Sequence, residues 1–338
     1  MVKLKDIAKA CNTSVATVSR ALNGSTELSK ETIERILKIA KEMGYVPNAY
    51  ARALKSKKSY DIGVIYYDAT FGGLKHEYFS GILNALKVEA ESKGFSITFL
   101  SKRTNKDMTY LQLARYLNMD GVIIVTEEFD NPEVIELVKS DLPVVTIDYV
   151  FNSSTAIMSD NTEGTKKLVH YAKNLGHRKI AFIHGEYTDV TKKRLASFYA
   201  GMKECNLPII DKFVLDGSFH NPKVCGHLTK ELMKRKERPT CILAPDDISM
   251  IGSLSALNEM GFNVPEDISV IGYDGIDFSR FYRPKFTTYI QNYEELGKAA
   301  ANELINRIFN PETFIPKTIM VNGMIQEGNT TAPLKKSK

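Results

Sequence analysis

The chain has 338 residues, with 45 Lys and Arg against 40 Asp and Glu, and a formal net charge of +5 at pH 7. This length is enough for two or three domains with substantial cores. The sequence has no apolar run of about 18 residues, which excludes a membrane-spanning helix, and its charged start argues against a secretory signal. We therefore expect a cytoplasmic protein.

The positive charge is concentrated at the front of the chain. Residues 1–60 hold 12 Lys and Arg against 5 Asp and Glu, whereas the remaining residues hold 33 against 35. A uniformly basic protein adheres to polyanions diffusely. A basic segment ahead of a near-neutral body indicates instead one module that contacts nucleic acid.

Two short amphipathic helices are predicted at the start, separated by Asn12-Thr13-Ser14. The first has an apolar stripe at helical spacing, formed by Leu4, Ile7, Ala8 and Cys11. Ser14 is a suitable cap for the second helix because its hydroxyl can accept hydrogen bonds from free backbone N–H groups. Asn23-Gly24 is a suitable end, since both residues tolerate left-handed backbone.

The second helix has a small, nearly acid-free outer face. Val18 and Leu22 point towards the predicted core, and the other face consists of Val15, Ala16, Thr17, Ser19, Arg20 and Asn23. Such a face fits the major groove of DNA. The pattern therefore predicts a helix-turn-helix with Arg20 on its outer side.

A third helix is predicted over 30–43, from a cap at Ser29 to Gly44, with its apolar stripe on Ile33, Ile36, Leu37 and Ala40. These three helices form a headpiece over 1–46. Residues 47–60 are interpreted as a hinge and linker, in which Pro47 opens a helix over 48–55. That helix is barely two turns long, so it needs a packing partner to become ordered. A plain tether is the alternative.

Strand and helix patterns alternate from Asp61 onward. The first round has strands at 61–67, 96–100, 121–125, 143–147 and 156–159, with helices near 78–93, 108–118 and 132–139. The second has strands at 179–185, 213–215, 240–247 and 268–275, with helices near 191–204, 222–235 and 248–260. A helix over 293–308 and a strand at 317–321 follow. Near-continuous apolar strands predict sheets that are covered on both faces.

The predicted fold class is therefore α/β, with a three-helix headpiece and hinge helix ahead of a two-lobed core of doubly wound parallel sheets over 61–338. Lobe 1 is expected at about 61–160 plus 291–321, and lobe 2 at about 161–290 plus 322–331. The carboxyl ends of both sets of strands meet at a cleft, where such sheets bind ligands. Acidic residues follow the strand ends: Asp68, Asp148, Asp160, Asp246, Asp247 and Asp274.

Taken together, these features resemble the LacI/GalR family of bacterial transcription regulators along essentially the whole chain. The segments that carry the resemblance are DIAKACNTSVATVSRALNG, GYVPNAYARAL, SDNTEG, LGHRKIAFIHG, RLASFYAGM, PEDISVIGYDGI and TTYIQNYEELG, in the family's order. The resemblance implies a repressor that binds a pseudo-palindromic operator as a dimer. It also implies a periplasmic-binding-protein-like core with a small-molecule effector in its cleft.

For DNA binding, the resemblance places the second helix in the major groove and the hinge helix, paired with its dimer mate, in the minor groove. Arg20 matches a groove-facing arginine that suits guanine or phosphate, and Leu54 matches an intercalating leucine. For Val15 the alternative is a place in the headpiece core; for Thr17, Ser19 and Asn23 it is capping or plain exposure. The expected DNA-binding set is Lys5, Ser14, Val15, Ala16, Thr17, Ser19, Arg20, Asn23, Asn48, Ala51, Arg52, Leu54 and Lys55.

For the effector, the resemblance implies ligand contacts from both lobes. The expected set is Asp68, Tyr78, Phe79, Asp160, Arg194, Phe219, Asp246, Asp274, Gln291 and Tyr293. Carboxylates accept from vicinal hydroxyls, arginine donates in a fork and an aromatic face covers a sugar ring, so we expect a neutral sugar or glycoside. Each aspartate taken alone can equally be a helix cap or a strand-end turn.

Two features depart from the family pattern. Asp246 stands where the family usually has asparagine, and its negative charge disfavours a phosphorylated or carboxylated effector. The loop 68–79 is longer than the family's connection to its paired aromatics. Gly72-Gly73 can hinge this loop, and Lys75 or His76 can enter the pocket. An ordinary surface loop is the alternative.

The sequence argues against two other classes of protein. An enzyme on this fold would need a phosphate-binding glycine motif or a nucleophile elbow, and neither is present. A sugar transport receptor would share the core, but residues 1–60 and the missing export signal argue against it. The cysteines lack C-x-x-C pairing and the histidines lack metal-ligand spacing, so we expect free thiols, no metal and no cofactor. The end of the chain has no leucine heptad, which favours a dimer over a tetramer.

Overall fold

The computed structural model describes residues 2–22, 27–45, 58–67, 73–102 and 107–334. The chain divides into two compact units, Met1–Ser59 and Tyr60–Lys338. Several residues of the predicted sites lie outside the described residues: Asn23, Asn48, Ala51, Arg52, Leu54, Lys55 and Asp68. The predicted hinge helix over 48–55 lies outside them as well.

The first unit contains helices α1 (Leu4–Ala10), α2 (Val15–Leu22) and α3 (Lys30–Glu42). Ile7, Val18 and Ile36 are fully buried at their centre. Both predicted caps are confirmed. The Ser14 hydroxyl accepts a hydrogen bond from the Thr17 backbone N–H at 3.0 Å, and the Ser29 hydroxyl accepts one from the Thr32 backbone N–H at 3.2 Å.

One part of the predicted core of α3 is wrong. Leu37 was placed in the apolar stripe, but its side chain is 45% exposed. The buried positions are Ile36 and Ala40, which are four residues apart and therefore share a face. Residue 37 is turned about 100° further around the helix, which points it away from α1 and α2.

The second unit alternates strands with helices. Its strands are β1 (Asp61–Tyr66), β2 (Ser96–Phe99), β3 (Gly121–Thr126), β4 (Val144–Ile147), β5 (Thr155–Ser159), β6 (Ile180–His184), β7 (Val214–Asp216), β8 (Cys241–Leu243), β9 (Ser269–Asp274), β10 (Thr287–Ile290), β11 (Thr318–Val321) and β12 (Met324–Gln326). Its helices are α4 (Glu77–Ser92), α5 (Tyr110–Tyr116), α6 (Pro132–Lys139), α7 (Asn161–Asn174), α8 (Asp189–Glu204), α9 (Pro222–Lys234), α10 (Asp247–Glu259), α11 (Phe278–Phe281) and α12 (Tyr293–Phe309).

The strands form two six-stranded sheets, as the alternating pattern predicts. The first has the order β11-β5-β4-β3-β1-β2 and is parallel throughout. The second has the order β12-β10-β9-β8-β6-β7, in which β12 alone is antiparallel to its neighbour β10. The sequence did not predict β10, β12, α7 or α11. Three or four residues are too few to show a periodic pattern in β10, β12 and α11. The buried face of α7 begins with Asn161, Gly164 and Thr165, so the first half of this helix has no apolar stripe.

Helices cover both faces of each sheet, so the central strands are almost completely buried, whereas the edge strands β2, β7 and β12 are partly exposed. In lobe 1, α12 packs directly on α4 above the sheet, with Leu86 and Leu304 fully buried between them. A Cβ at Gly297 would lie 2.4 Å from the Ile82 carbonyl oxygen, so this close helix crossing requires glycine. Each such buried leucine contributes about 1.5–3 kcal/mol to folding.

The chain passes between the two lobes three times within residues 107–334. The crossings follow β5, β10 and β11, at about residues 159–161, 290–293 and 321–324. Asp160 and Gln291, both predicted effector ligands, lie on two of these crossings. Among the described helices, none is both long and apolar enough to cross a membrane.

Candidate DNA-reading face and effector cleft

The outer face of α2 is exposed, as the helix-turn-helix interpretation requires. Val15 is 46% exposed, so the alternative that places Val15 in the headpiece core is wrong. Ala16 and Arg20 are also exposed, and Lys5 is exposed on α1. Val18 and Ala21 are buried on the opposite side. The helix therefore presents small side chains and one guanidinium group to solvent.

Two predicted DNA contacts also have a local role. The Ser14 hydroxyl caps α2, and it lies 2.9 Å from the Thr17 hydroxyl. Thr17 and Ser19 are partly buried. In the absence of DNA, the capping contacts therefore account for the positions of the Ser14 and Thr17 hydroxyl groups. The second lone pair of each hydroxyl oxygen can still accept a hydrogen bond.

Arg20 is paired with Glu27 in this structure. The distance between Arg20 Nη1 and Glu27 Oε2 is 3.4 Å, and the two side chains are 53% and 72% exposed. Ion pairs in water at this level of exposure are weak. The Arg20 guanidinium can therefore exchange Glu27 for an acceptor on DNA at little cost.

In lobe 1, the carboxyl edge of the sheet carries a hydrogen-bonded group around Asp148. The Tyr78 hydroxyl donates to Asp148 Oδ2 at 3.0 Å, and the Ser159 backbone N–H donates to Asp148 Oδ1 at 2.6 Å. Burial raises the pKa of Asp148, while the backbone N–H of Ser159 opposes that shift by stabilising the anion. Burial beside Asp148 also raises the pKa of Tyr78, so Tyr78 acts here as a neutral donor.

In lobe 2, Arg194 is the central buried cation. Its Nε donates to Asn161 Oδ1 and its Nη1 donates to the Pro245 carbonyl oxygen, both at 2.9 Å. The guanidinium carbon lies 3.6 Å from the centroid of the Tyr273 ring, which adds a cation–π contact. These contacts fix the plane of the guanidinium group.

Asp274 faces Arg194 from the end of β9. Asp274 Oδ1 lies 3.9 Å from Arg194 Nη2 and accepts a hydrogen bond of 2.7 Å from Gln291 Nε2. The backbone φ of Asp274 is 102°, a conformation that non-glycine residues rarely adopt. Such strain is typical of functional positions. The structure thus brings together Arg194, Asp274 and Gln291, three of the residues that are predicted to bind the effector.

Asp160 and Asp246 are both helix caps. Asp160 Oδ1 accepts from the Glu163 backbone N–H at 2.9 Å, at the start of α7. Asp246 Oδ1 accepts from the Ser249 backbone N–H at 2.7 Å, at the start of α10. The capping alternative therefore accounts for the local geometry of both residues.

Asp246 accepts three hydrogen bonds from protein donors. Besides its cap contact, its Oδ2 accepts from the His220 backbone N–H at 2.8 Å and from the Ser249 hydroxyl at 2.9 Å. Burial raises the pKa of Asp246, and the adjacent His220 opposes that shift. Asp246 consequently anchors the loop that carries Phe219 and His220 to the start of α10.

Aromatic side chains from both lobes line the cleft. A Cβ at Gly185 would lie 2.2 Å from the Phe219 ring, so this glycine allows the ring to lie flat on the backbone after β6. Phe79 of lobe 1 contacts the rings of Tyr66 and His76, with centroids 5.6 and 4.5 Å away. His76 in turn contacts His220 of lobe 2, so the long loop 68–79 does deliver a side chain into the cleft.

Tyr293 lies apart from the Arg194 group. Its ring packs on α4, where a Cβ at Gly81 would lie 2.6 Å from it. The side chain is partly buried against the core of lobe 1. The structure thus gives Tyr293 a packing role at the crossing into α12.

Sequence reasoning missed three residues of this cleft. Asn161 orients Arg194, and His220 lies between Asp246 and His76. Asp247 is buried, and its Oδ2 accepts from the backbone N–H groups of Gly275 and Ile276. Burial raises the pKa of Asp247 well above its usual range. The sequence signal for Asp247 was its position at the end of a strand. That position does not distinguish a carboxylate with a structural role from one that binds a ligand.

Within the described part of the chain, no cluster of three or more His, Cys, Asp or Glu side chains is arranged to hold a metal ion. The four cysteines are free thiols, as predicted. The cleft therefore offers hydrogen-bond donors and acceptors, one guanidinium and aromatic faces, which are the means of binding a small polar molecule.

Comparison with known proteins agrees with this architecture. Residues 3–48 match the family model described as "Bacterial regulatory proteins, lacI family", and residues 169–331 match a periplasmic binding protein-like domain. The chain is 32% identical over 315 residues to the HTH-type transcriptional repressor PurR of Haemophilus influenzae (strain PittEE), covering 91% of each chain. It is 31% identical to the PurR repressor of Salmonella arizonae, covering 92% of this chain and 91% of that one.

Solved structures show the same fold. The lac repressor dimer bound to operator and the anti-inducer ONPF has a TM-score of 0.81 at 26% identity, covering 98% of this chain and 99% of that one. A LacI family regulator from Enterococcus faecium with bound ribose has a TM-score of 0.70 at 26% identity, covering 81% and 100%. The chain therefore belongs to the LacI/GalR family of bacterial transcription regulators, and it is a DNA-binding transcriptional repressor.

Proposed function

We propose that this repressor binds a pseudo-palindromic operator as a dimer and that a small neutral sugar or glycoside in the cleft controls its binding. The proposal is carried by two observations: Arg194, Asp274 and Gln291 lie together at the cleft, and the helix-turn-helix has an exposed outer face. A ligand that binds the closed core better than the open core shifts the population between the two. That shift changes how the headpieces fit their half-sites.

In DNA recognition, Arg20 reads a base edge from the major groove, because its exposed guanidinium group can donate twice to guanine. Val15 and Ala16 set the distance between α2 and the bases. By resemblance to the family, Leu54 of the hinge segment is the wedge that kinks the operator centre, with Arg52 and Lys55 on the adjacent phosphates.

In effector recognition, Asp274 accepts from ligand hydroxyls and Arg194 donates to a ring or hydroxyl oxygen, while Phe219 covers an apolar face of the ligand. Arg194, the buried cation of this group, already faces the carboxylate of Asp274 at 3.9 Å. This pairing favours a neutral ligand over an anionic one. The ribose bound by the similar E. faecium regulator is of this chemical class.

A thermal-shift panel tests the ligand class directly. We expect at least one neutral monosaccharide or disaccharide, with ribose as the first candidate, to raise the melting temperature of the full chain, since a ligand that binds only the folded state stabilises it. The corresponding sugar phosphates should shift it less, and Asp274→Asn should remove the shift. A panel in which only phosphorylated sugars or nucleobases stabilise the protein would exclude the proposed class.

The dimer proposal rests on an exposed apolar surface at α11. Phe281 is 78% exposed and Phe278 is 44% exposed, and both stand on one turn of helix at the surface of lobe 2. Exposed aromatic side chains of this size are typical of interfaces. We infer that a second copy of the chain covers them, as resemblance to the family implies.

We expect Phe281→Asp to convert the dimer into monomers, because a carboxylate in an apolar interface loses its hydration without gaining a partner. Sedimentation velocity at micromolar concentration measures this. Ile315→Asp is the matched control, since Ile315 is also 78% exposed but lies on lobe 1. If both variants sediment as the wild type does, α11 is not part of a dimer interface.

A further inference from the structure

Two histidines meet across the effector cleft. His76 precedes α4 in lobe 1, and His220 follows β7 in lobe 2. Their Nε2 atoms are 2.6 Å apart, and their ring centroids are 3.9 Å apart at an angle of 70°. Both side chains are partly buried. Because each lobe supplies one ring, any parting of the lobes at this point breaks the contact.

A second contact joins the lobes beside the first. The Asp277 backbone N–H, next to α11 in lobe 2, donates to Glu77 Oε1 in lobe 1. Glu77 is the residue that follows His76. Through these two contacts, the segment at 76–77 of lobe 1 touches lobe 2 across the cleft.

A hydrogen bond between two imidazole nitrogens depends on protonation. It requires an N–H on one facing nitrogen and a lone pair on the other. The pair therefore accepts one extra proton without losing the bond, because an imidazolium can donate to a neutral ring. With a proton on each facing nitrogen, two N–H groups and two positive charges oppose each other.

Asp246 fixes the orientation of one of these rings. His220 Nδ1 lies 3.6 Å from Asp246 Oδ1, and the His220 backbone N–H donates to Asp246 Oδ2 at 2.8 Å. Nδ1 of His220 thus faces the carboxylate, and Nε2 of that ring faces His76. Asp246 is a positioning residue in this arrangement.

Other charged and aromatic groups surround the pair on both sides. In lobe 2, Glu186 accepts from the Phe219 backbone N–H, and Arg194 lies 5.7 Å from the Phe219 ring. In lobe 1, the rings of Tyr78 and Phe79 pack on His76, and Tyr78 donates to Asp148. A carboxylate therefore lies beside the His220 ring and aromatic rings pack on His76, but neither removes the repulsion between two N–H groups that face each other.

We propose that Asp246, His220 and His76 form a proton-sensitive latch, which holds the cleft closed while the two rings share at most one extra proton and releases it when both are protonated. The proposal rests on the proposed function, since closure of this cleft is the state change assigned there to the effector. The latch adds acidity as a second input to the same cleft.

Small-angle X-ray scattering of the full chain without DNA or effector tests the latch. We expect the radius of gyration of the wild type to increase between about pH 8 and about pH 5.5, at unchanged molecular mass. His76→Gln should keep the smaller value at both pH values. The amide can donate to a neutral His220 and accept from a protonated one. His76→Ala should show the larger value at both.

Two further variants keep the test independent of any single substitution. His220→Gln should be as insensitive to pH as His76→Gln, whereas His227→Gln should respond like the wild type, because His227 is an exposed residue of α9 paired only locally with Glu231. The latch is refuted if the wild type keeps one radius at both pH values, or if His76→Gln expands with acid as much as the wild type. An expansion accompanied by a fall in molecular mass would refute it too. None of these outcomes depends on sugar or operator binding, so failure of the latch and failure of the proposed function are separable.

Discussion

Replacing Arg194 by methionine is expected to destabilise the effector-binding unit by about 3–5 kcal/mol. The Arg194 and Asp274 side chains are each 7% exposed, so removal of the guanidinium leaves a buried carboxylate without its cation. It also leaves Asn161 Oδ1 and the Pro245 carbonyl oxygen without donors. Urea unfolding followed by circular dichroism measures the loss, which should be accompanied by loss of any sugar-induced thermal shift.

Arg115→Met provides the control for this prediction. Arg115 Nη2 lies 2.7 Å from Asp141 Oδ1, which is closer than the Arg194 pair, but its side chain is 59% exposed and that of Asp141 is 85% exposed. Water screens such a pair, so Arg115→Met should stay close to the wild type despite the shorter distance. Equal losses in the two variants would mean that the buried pair does not stabilise the cleft.

Arg20→Ala is expected to lower specific operator affinity by about 1–3 kcal/mol, a factor of about 5 to 150, since a bidentate contact to guanine has this value. Affinity for unrelated DNA should fall much less, because there Arg20 contributes only its charge. The measurement is fluorescence anisotropy on a duplex recovered by in vitro selection and on a scrambled duplex of the same composition.

Arg35→Ala removes the same charge from α3, where Arg35 is exposed. This variant should weaken binding to both duplexes alike and leave their ratio unchanged. If Arg20→Ala also leaves the ratio unchanged, Arg20 contacts phosphate and does not read the base sequence.

The sequence predicted most of the fold because its signals are local and repeated. The apolar run Ile62 to Ile65 forms a buried strand, and Ser14 and Ser29 cap the helices that follow them. The observed burial differs from the prediction where it depends on the position of a residue around a single helical turn. Leu37 is predicted to be buried but is exposed. The three residues of β12 pair with β10 through backbone contacts that carry no side-chain pattern.

The site was less predictable because its chemistry depends on distant partners. Asp246 and Asp274 both follow strands, but only the structure shows that Asp246 accepts hydrogen bonds from Ser249 and His220 while Asp274 faces Arg194. The pairing of His76 with His220 joins residues 144 positions apart, which no local pattern encodes. Strand-end acids therefore locate the cleft without showing which of them is available to a ligand.

A ligand in the cleft is proposed to control how tightly the headpiece binds the operator. The most direct test is an anisotropy titration of the wild-type protein on its selected operator, with and without the sugar that raises the melting temperature. We expect a change in operator affinity of about 5- to 150-fold, the usual range of coupling between two sites. A sugar that stabilises the protein but leaves operator affinity unchanged would contradict this expectation.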